Sequence, residues 1–162
     1  MIGIITNSDN RTADILTSMG VRVNPLHYGE DQAPHSQNAS DPQFDVDFTV
    51  LSYDVGFEKP DRRIFAAAEE MLASHLEADQ QQMDADEWSK VYVGDEYEKD
   101  VVGATQAGWK AVLIDRETAG HCDGVEWLHE DEPASVMAVL ARTKAVGFGS
   151  LKQLGEWMPG RD

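Results

Sequence analysis

Cysteine, basic residues and long apolar runs are all scarce in this sequence. Its 162 residues include one cysteine, Cys122, which excludes an internal disulfide and favours a reducing compartment. Only 13 Lys and Arg residues face 30 Asp and Glu residues, so the net charge is -17. This charge argues against a nucleic-acid backbone or an anionic membrane as partner. No stretch approaches the ~20 apolar residues of a membrane span, and no basic region precedes an apolar one at the start. We therefore expect one soluble, cytoplasmic domain over residues 1–162.

Apolar segments typical of strands alternate with amphipathic segments typical of helices. This alternation predicts an α/β fold with a doubly wound parallel sheet. Polar composition predicts a surface loop over residues 24–47, and further loops over 53–61 and 117–131. The predicted strands are 1–6, 48–52, 90–93, 111–115 and a short edge strand at 146–148. The predicted helices begin near residues 10, 61, 100, 133 and 151.

Two aspartates follow the predicted strand at 90–93, whose valines suggest burial on both faces. Gly94 permits a tight turn, so Asp95 stands at the carboxyl end of the strand, where ligands bind in open α/β sheets. Asp100 lies near the start of the next helix and can point back toward Asp95. Two converging carboxylates favour Mg²⁺ serving a phosphoryl group. The alternative is that Asp95 is a turn residue and Asp100 a helix N-terminal acid.

Three motifs occur at predicted strand ends, in the order Thr-Asn-x-Asp-x-Arg, Gly-x-x-Lys-Pro-Asp-x-x-Ile-Phe and Val-Gly-Asp-x-x-x-x-Asp. They begin at Thr6, Gly56 and Val93, and the last continues as Gly-Ala-x-x-Ala-Gly-Trp to residue 109. In this order and context the chain resembles the haloacid dehalogenase-like (HAD) hydrolase superfamily. The resemblance covers roughly residues 2–157.

The resemblance implies a HAD-like Rossmannoid core and a Mg²⁺-dependent phosphatase that acts through an aspartyl-phosphate. It implies that Thr6, with the adjacent backbone N–H, and Asn7 bind the phosphoryl group of a small phosphorylated molecule. Lys59 would neutralise a phosphoryl oxygen and orient the nucleophile. Asp95 would bind Mg²⁺ directly, and Asp100 would bind it through water or steady Lys59. We expect Thr6, Lys59 and Asp95 to share one pocket.

The family's first motif, an apolar strand followed by Asp-x-Asp-x-Thr or Val, is missing at the expected place, as is the cap that selects the substrate. The literal match at Asp45 and Asp47 has no apolar strand before it and precedes a strand already assigned. We therefore expect a core truncated at its N-terminus and inactive as this chain. The missing strand would lie between the strands 1–6 and 90–93. Direct pairing of these neighbours, a borrowed strand or oligomerisation would then complete the sheet.

Two other functions remain open from the residues. A non-catalytic phosphate-binding or protein-interaction module, a pseudoenzyme, would use the same sheet edge without turnover. A receiver-like signalling domain also combines aspartates, Thr and Lys at a sheet edge. Its usual order places the acidic pair first and the lysine on the last strand, whereas here Lys59 precedes Asp95 and Asp100.

Overall fold

The computed structural model describes residues 1–29, 44–78, 88–117, 122–128 and 135–157. The chain divides into two compact units, Met1–Trp88 and Ser89–Asp162. The first contains a two-stranded sheet and the second a four-stranded sheet, and every strand pairing is parallel. The single domain expected over residues 1–162 stays a prediction. Within the described ranges, no helix has the length and apolar character needed to cross a membrane.

The described elements alternate between strands and helices, as the sequence predicts. The strands are β1 Gly3–Thr6, β2 Phe48–Leu51, β3 Val91–Gly94, β4 Lys110–Ile114, β5 Val125–Trp127 and β6 Ala145–Phe148. The α-helices are α1 Arg11–Ser18, α2 Ser52–Val55, α3 Arg62–Ala78, α4 Gly103–Gln106, α5 Val136–Leu140 and α6 Leu151–Trp157. A π-helical turn, Tyr97–Val102, precedes α4.

In the first unit, β1 and β2 run side by side and end together. Thr6, the last residue of β1, lies opposite Leu51, the last residue of β2. The apolar face of α3 packs against both strands, and its Ile64 and Phe65 are fully buried. All four residues of β2 are buried as a result. The carboxyl ends of β1 and β2 therefore form one edge of a sheet that α3 covers.

In the second unit, the strand order is β3-β4-β6-β5. Val112 of β4 and Val146 of β6 belong to a core that also includes Val139 and Leu140 of α5. Phe148, at the end of β6, packs edge-to-face on Trp157 of α6 with ring centroids 6.0 Å apart. The two central strands are thus buried, and the carboxyl end of β6 packs against the helix that follows it.

Three local predictions are wrong. Helix α2 occupies part of the predicted loop 53–61 and ends at Gly56, whose φ of 77° is left-handed. Strand β5 lies within the predicted loop 117–131. Because β5 pairs outside it, β6 is an interior strand with all four residues buried, and not an edge strand. Both missed elements are three or four residues long, which is too short for periodicity to reveal them.

The expected burial of β3 on both faces is also wrong. Val93 is 46% exposed, and Val91 and Tyr92 are half-buried. The approach to β1 is exposed as well: Ile2 is 53% exposed, and Ile5 is the buried residue of β1. Both strands stand at the end of their sheet's strand order, where fewer elements cover them.

The predicted surface loop 24–47 falls largely on residues 30–43, which lie outside the described part of the chain. The described residues before the gap pair with β2 and with the residues that lead into it. The Asn24 N–H donates to the Val46 carbonyl at 2.9 Å, and the Thr49 N–H donates to the Leu26 carbonyl at 3.0 Å. Val46 is buried. These flanks therefore extend the parallel pairing of the first unit.

Candidate functional site

The loop directly after β1 is the centre of the site residues in the first unit. Thr6 ends the strand, and the Ser8 carbonyl then accepts hydrogen bonds from the Tyr53 N–H and the Ser52 hydroxyl, both at 3.3 Å. These bonds tie the loop after β1 to the start of α2, which follows β2. Parallel pairing thus places the motif that begins at Thr6 beside the carboxyl end of β2.

Asn7 links the motif that begins at Thr6 to the motif that contains Lys59. Its side-chain oxygen Oδ1 accepts a hydrogen bond from the Lys59 N–H at 2.7 Å, and its Nδ2 donates to the Lys59 carbonyl at 3.1 Å. The two residues are 52 positions apart in the chain. The structure therefore brings the main chain of Lys59 next to the end of β1, where Thr6 lies.

The aspartates of both motifs begin the helices that follow. Asp9 accepts hydrogen bonds from the main-chain N–H and the guanidinium of Arg11 at the start of α1. Asp61 does the same with Arg63 at the start of α3. Hydrogen bonds from the Arg63 side chain, and then from its backbone, lower the pKa of Asp61 to about 2. Asp61 thus caps the start of α3, and both acids have a structural explanation.

In the second unit, Asp100 holds the loop that carries Asp95. The Asp100 oxygen Oδ2 accepts hydrogen bonds from the Asp95 N–H and the Glu96 N–H, both at 2.9 Å. Asp100 is 3% exposed, in the π-helical turn that follows. A buried carboxylate needs such donors, because the cost of removing its charge from water is otherwise large. Asp100 therefore points back toward Asp95, as predicted.

Gly94 is required by the approach of Asp100 and not by a turn. Its φ is not among the positive values of the described glycines. A Cβ added at Gly94 would overlap the carboxyl group of Asp100 and lie 2.6 Å from its Cβ. The role assigned to Gly94 from sequence is corrected accordingly: the glycine leaves room for the carboxylate that binds the next two N–H groups.

Asp95 lines a pocket of about 550 Å³ within the second unit. The pocket lies at the carboxyl ends of β3 and β4, and Leu151 at the start of α6 also lines it. Asp115, Arg116 and Glu117 face it from the segment after β4. Sequence reasoning missed these three residues. Their signal was a charged triplet directly after a predicted strand, at the same edge as Asp95.

The donor set around Asp95 fits a magnesium ion only loosely. Asp95 is exposed, and carboxylate oxygens with several waters suit Mg²⁺. Asp100 already uses Oδ2 for two N–H groups. Over the described ranges, no group of three or more His, Cys, Asp and Glu side chains is placed to hold a metal. The roles of Asp95 and Asp100 as metal ligands, and the shared pocket with Thr6 and Lys59, stay predictions.

Asp45 and Asp47 lie just before β2, at the end of the strand opposite to Leu51. The Asp45 carboxylate accepts hydrogen bonds from the Arg22 guanidinium at 2.6 and 3.0 Å and from its main-chain N–H at 2.9 Å. Asp47 accepts one from the Ile2 N–H at 2.6 Å. Both carboxylates therefore pair neighbouring segments, and their place at the amino end of β2 favours structural roles.

With this geometry established, comparison with known proteins decides the family. Residues 56–143, more than half of the chain, match the family model described as HAD-hydrolase-like. The chain belongs to the HAD-hydrolase-like family. The predicted resemblance and the predicted α/β fold with parallel sheets are both confirmed.

Individual relatives of this HAD-like chain are longer than it is. Over 118 residues it is 32% identical to an uncharacterised hydrolase of Schizosaccharomyces pombe. The matched region covers 73% of this chain and 40% of that protein. It is 40% identical over 81 residues to glyceraldehyde 3-phosphate phosphatase of Methanothermobacter thermautotrophicus, covering 49% of this chain and 31% of that protein. The HAD phosphatase structure from Thermococcus onnurineus matches with a TM-score of 0.50 at 20% identity, covering 94% of this chain and 47% of that one. The last similarity concerns the fold alone, and the chain spans less than half the length of each relative.

We expect Gly94→Ala to destabilise the protein by about 1–3 kcal/mol, because the methyl group displaces a carboxylate that holds two N–H groups. Urea unfolding monitored by circular dichroism measures the change. Gly155→Ala is the matched control, since a Cβ there meets nothing within 4 Å. That helix substitution should be neutral or stabilising by up to ~1 kcal/mol. Equal stability of Gly94→Ala and wild type would contradict the overlap.

A second prediction concerns pH. Hydrogen bonds from the Arg22 side chain, then from its backbone, lower the pKa of Asp45 to about 2. A lowered pKa in the folded state means that the stabilisation is present above the unfolded value of about 4 and is lost as the pH falls toward 2. The advantage of wild type over Arg22→Gln in urea midpoint should therefore be constant above about pH 4 and shrink below it. Lys152→Gln removes the same unit of charge as a control. A wild-type advantage that persists undiminished down to pH 2 would rule the account out.

Proposed function

We propose that this chain carries the phosphate-binding and metal-binding residues of a Mg²⁺-dependent phosphatase of the HAD type. The observation that carries the proposal is the contact of Asn7 with the Lys59 main chain. It joins two motifs at the carboxyl edge of β1 and β2, where parallel sheets bind ligands. The ligand is a small phosphorylated molecule, which the phosphatase relative also supports.

Each residue has a role that its chemistry suits. The Thr6 hydroxyl and an N–H of the following loop donate hydrogen bonds to a phosphoryl oxygen, and Lys59 offsets its negative charge. Local positive charge is needed here because the protein's net charge of -17 repels a phosphate ester. Asp95 and Asp100 are the residues that would hold Mg²⁺, which supplies further positive charge to a phosphoryl group when bound.

The 162 residues alone do not complete this reaction in our proposal. The covalent route needs a carboxylate nucleophile, which the family carries in its first motif. Asp45 and Asp47 are the literal match, but both lie at the amino end of β2 and their carboxylates are engaged by Arg22 and Ile2. The chain alone then binds phosphate without turnover, as a pseudoenzyme would.

Setting and assembly belong to the same proposal. A reducing, cytoplasmic location is supported by the single cysteine. Addition of a strand from a second copy is supported by the terminal positions of β1 and β3 in their sheets, because terminal strands are where further strands add. Neither nucleic acid nor membrane is proposed as a partner, on the grounds of the net charge.

The metal part is tested by calorimetric titration with MgCl₂. We expect weak binding by wild type, a loss of at least about tenfold in affinity for Asp95→Ala, and a smaller loss for Asp100→Asn, since two carboxylates and waters form a sparse site. Glu98→Ala is the control, because it removes an exposed carboxylate of the π-helical turn. Identical heats for wild type and Asp95→Ala would eliminate the site.

The catalytic part is tested with an aryl phosphate and Mg²⁺. We expect no hydrolysis above background by the 162-residue chain, because removal of a nucleophile commonly costs several orders of magnitude in rate. Asp45→Asn and Asp47→Asn should change nothing. The Methanothermobacter phosphatase, assayed in parallel, is the comparison enzyme. Robust turnover that either substitution abolishes, with the circular dichroism spectrum intact, would overturn this part of the proposal.

A further inference from the structure

The side-chain amide of Asn7 binds both main-chain polar groups of a single residue. It accepts from the Lys59 N–H at 2.7 Å and donates to the Lys59 carbonyl at 3.1 Å. A primary amide offers a donor and an acceptor side by side, as a neighbouring strand does. Asn7 therefore replaces a strand partner for Lys59, in a loop that has left the sheet.

Lys59 lies in a turn of the main chain. Pro60 follows it and has no N–H to donate. The nearest local bond joins the Asp61 N–H to the Glu58 carbonyl at 2.9 Å, and so passes over Lys59. The two bonds from Asn7 are those that connect the Lys59 main chain to the end of β1.

The chemistry of this contact requires a primary amide, which Asn7 supplies on a short side chain. Aspartate would keep the acceptor but lose the donor and place a negative charge against the Lys59 carbonyl. A serine hydroxyl is a single atom and cannot reproduce the two parallel bonds of the amide. Alanine removes both bonds and leaves the Lys59 N–H and carbonyl to water.

We infer that Asn7 is a positioning residue for Lys59, and that it affects phosphate binding only through Lys59. By fixing the Lys59 main chain beside the end of β1, Asn7 sets the point from which the lysine side chain reaches a phosphoryl oxygen held by Thr6. This inference rests on the proposed function. It differs from the direct substrate-binding role that the family resemblance implies for Asn7.

The two roles give opposite results in a double-mutant cycle with inorganic phosphate as the probe. If Asn7 acts through Lys59, Asn7→Ala weakens phosphate binding in the wild-type background but has no further effect when Lys59 is already Met. If Asn7 binds phosphate itself, Asn7→Ala weakens binding by a similar factor in both backgrounds. The cycle isolates the coupling because Lys59→Met removes the charge but keeps the main-chain groups and an unbranched side chain of nearly the same length.

The contact itself is tested without phosphate, by amide hydrogen exchange of the full chain measured by NMR. The Lys59 N–H should exchange on the order of tenfold faster in Asn7→Ala than in wild type, since the loss of a short, partly buried hydrogen bond permits local opening. Ser8→Ala is the matched control. It removes the polar side chain next in sequence, whose hydroxyl contacts Thr12 at 3.1 Å, and should leave Lys59 exchange unchanged.

Phosphate affinity is then followed by chemical shift titration at constant ionic strength. We expect roughly a three- to tenfold loss for Asn7→Ala, no loss for Ser8→Ala, and no additional loss for Asn7→Ala in Lys59→Met. Asn7→Ser should repeat these results, so the test does not depend on one variant that fails to fold. Unchanged Lys59 exchange in both Asn7 variants, or an equal loss of affinity in both backgrounds, would overturn the inference.

Failure of the proposed function has a separate signature. If wild type shows no phosphate binding at any accessible concentration, the phosphate role of Thr6 and Lys59 is wrong. Amide exchange then decides the contact alone: faster Lys59 exchange in the Asn7 variants upholds the positioning of the main chain, and unchanged exchange rejects it.

Discussion

The Asp100 carboxylate accepts hydrogen bonds from the N–H groups of Asp95 and Glu96, and the arrangement of the second unit's candidate site depends on that interaction. The main chain leaves β3 at Gly94 and needs partners for its next two donors. A buried carboxylate supplies them with charge-assisted bonds, which are stronger than neutral ones. Gly94 is then fixed by the space that this carboxylate occupies. The backbone itself therefore requires the spacing between Asp95 and Asp100, whether or not a ligand binds there.

The first unit uses the same device with a neutral group. Asn7 stands just beyond β1 and binds the main chain of a loop that arrives from 52 residues further on. In both units a polar side chain, and not a regular element, holds the backbone at the carboxyl edge. Side-chain partners suit such a place, because a further strand or helix would cover the surface at which a ligand binds.

Much of the fold could be predicted from the sequence, and the reasons for the exceptions are physical. Long periodic segments such as α3 and continuous apolar runs such as β2 and β4 predict buried elements directly. Strand β5 could not be found, because three residues with one Glu among them give no pattern, and its absence made β6 look like an edge. The apolar residues of β3 predict full burial, but Val93 is exposed because β3 ends its sheet. Composition does not reveal which strand stands at that position.

The site was predictable as far as its chemistry follows strand ends. Thr6 ends β1 and Asp95 directly follows β3, whereas Lys59 lies beyond α2, eight residues after the end of β2. The sequence could not show which polar side chains form hydrogen bonds with the main chain. The sequence predicts ligand-binding roles for Asn7 and Asp100, whereas in the structure both side chains bind backbone groups. Such local side-chain to backbone bonds depend on distances that only the folded chain sets.

The exposed apolar residues of the terminal strands have a consequence for colloidal behaviour. Ile2, beside β1, and Val93, in β3, present apolar surface on strands that end their sheets. Strands of this kind associate with each other unless something opposes the approach of two molecules. In this protein the opposing force is the mutual repulsion of molecules that each carry a net charge of -17. Added salt, or protonation of carboxylates near pH ~4, weakens this repulsion and with it the protection of both strands.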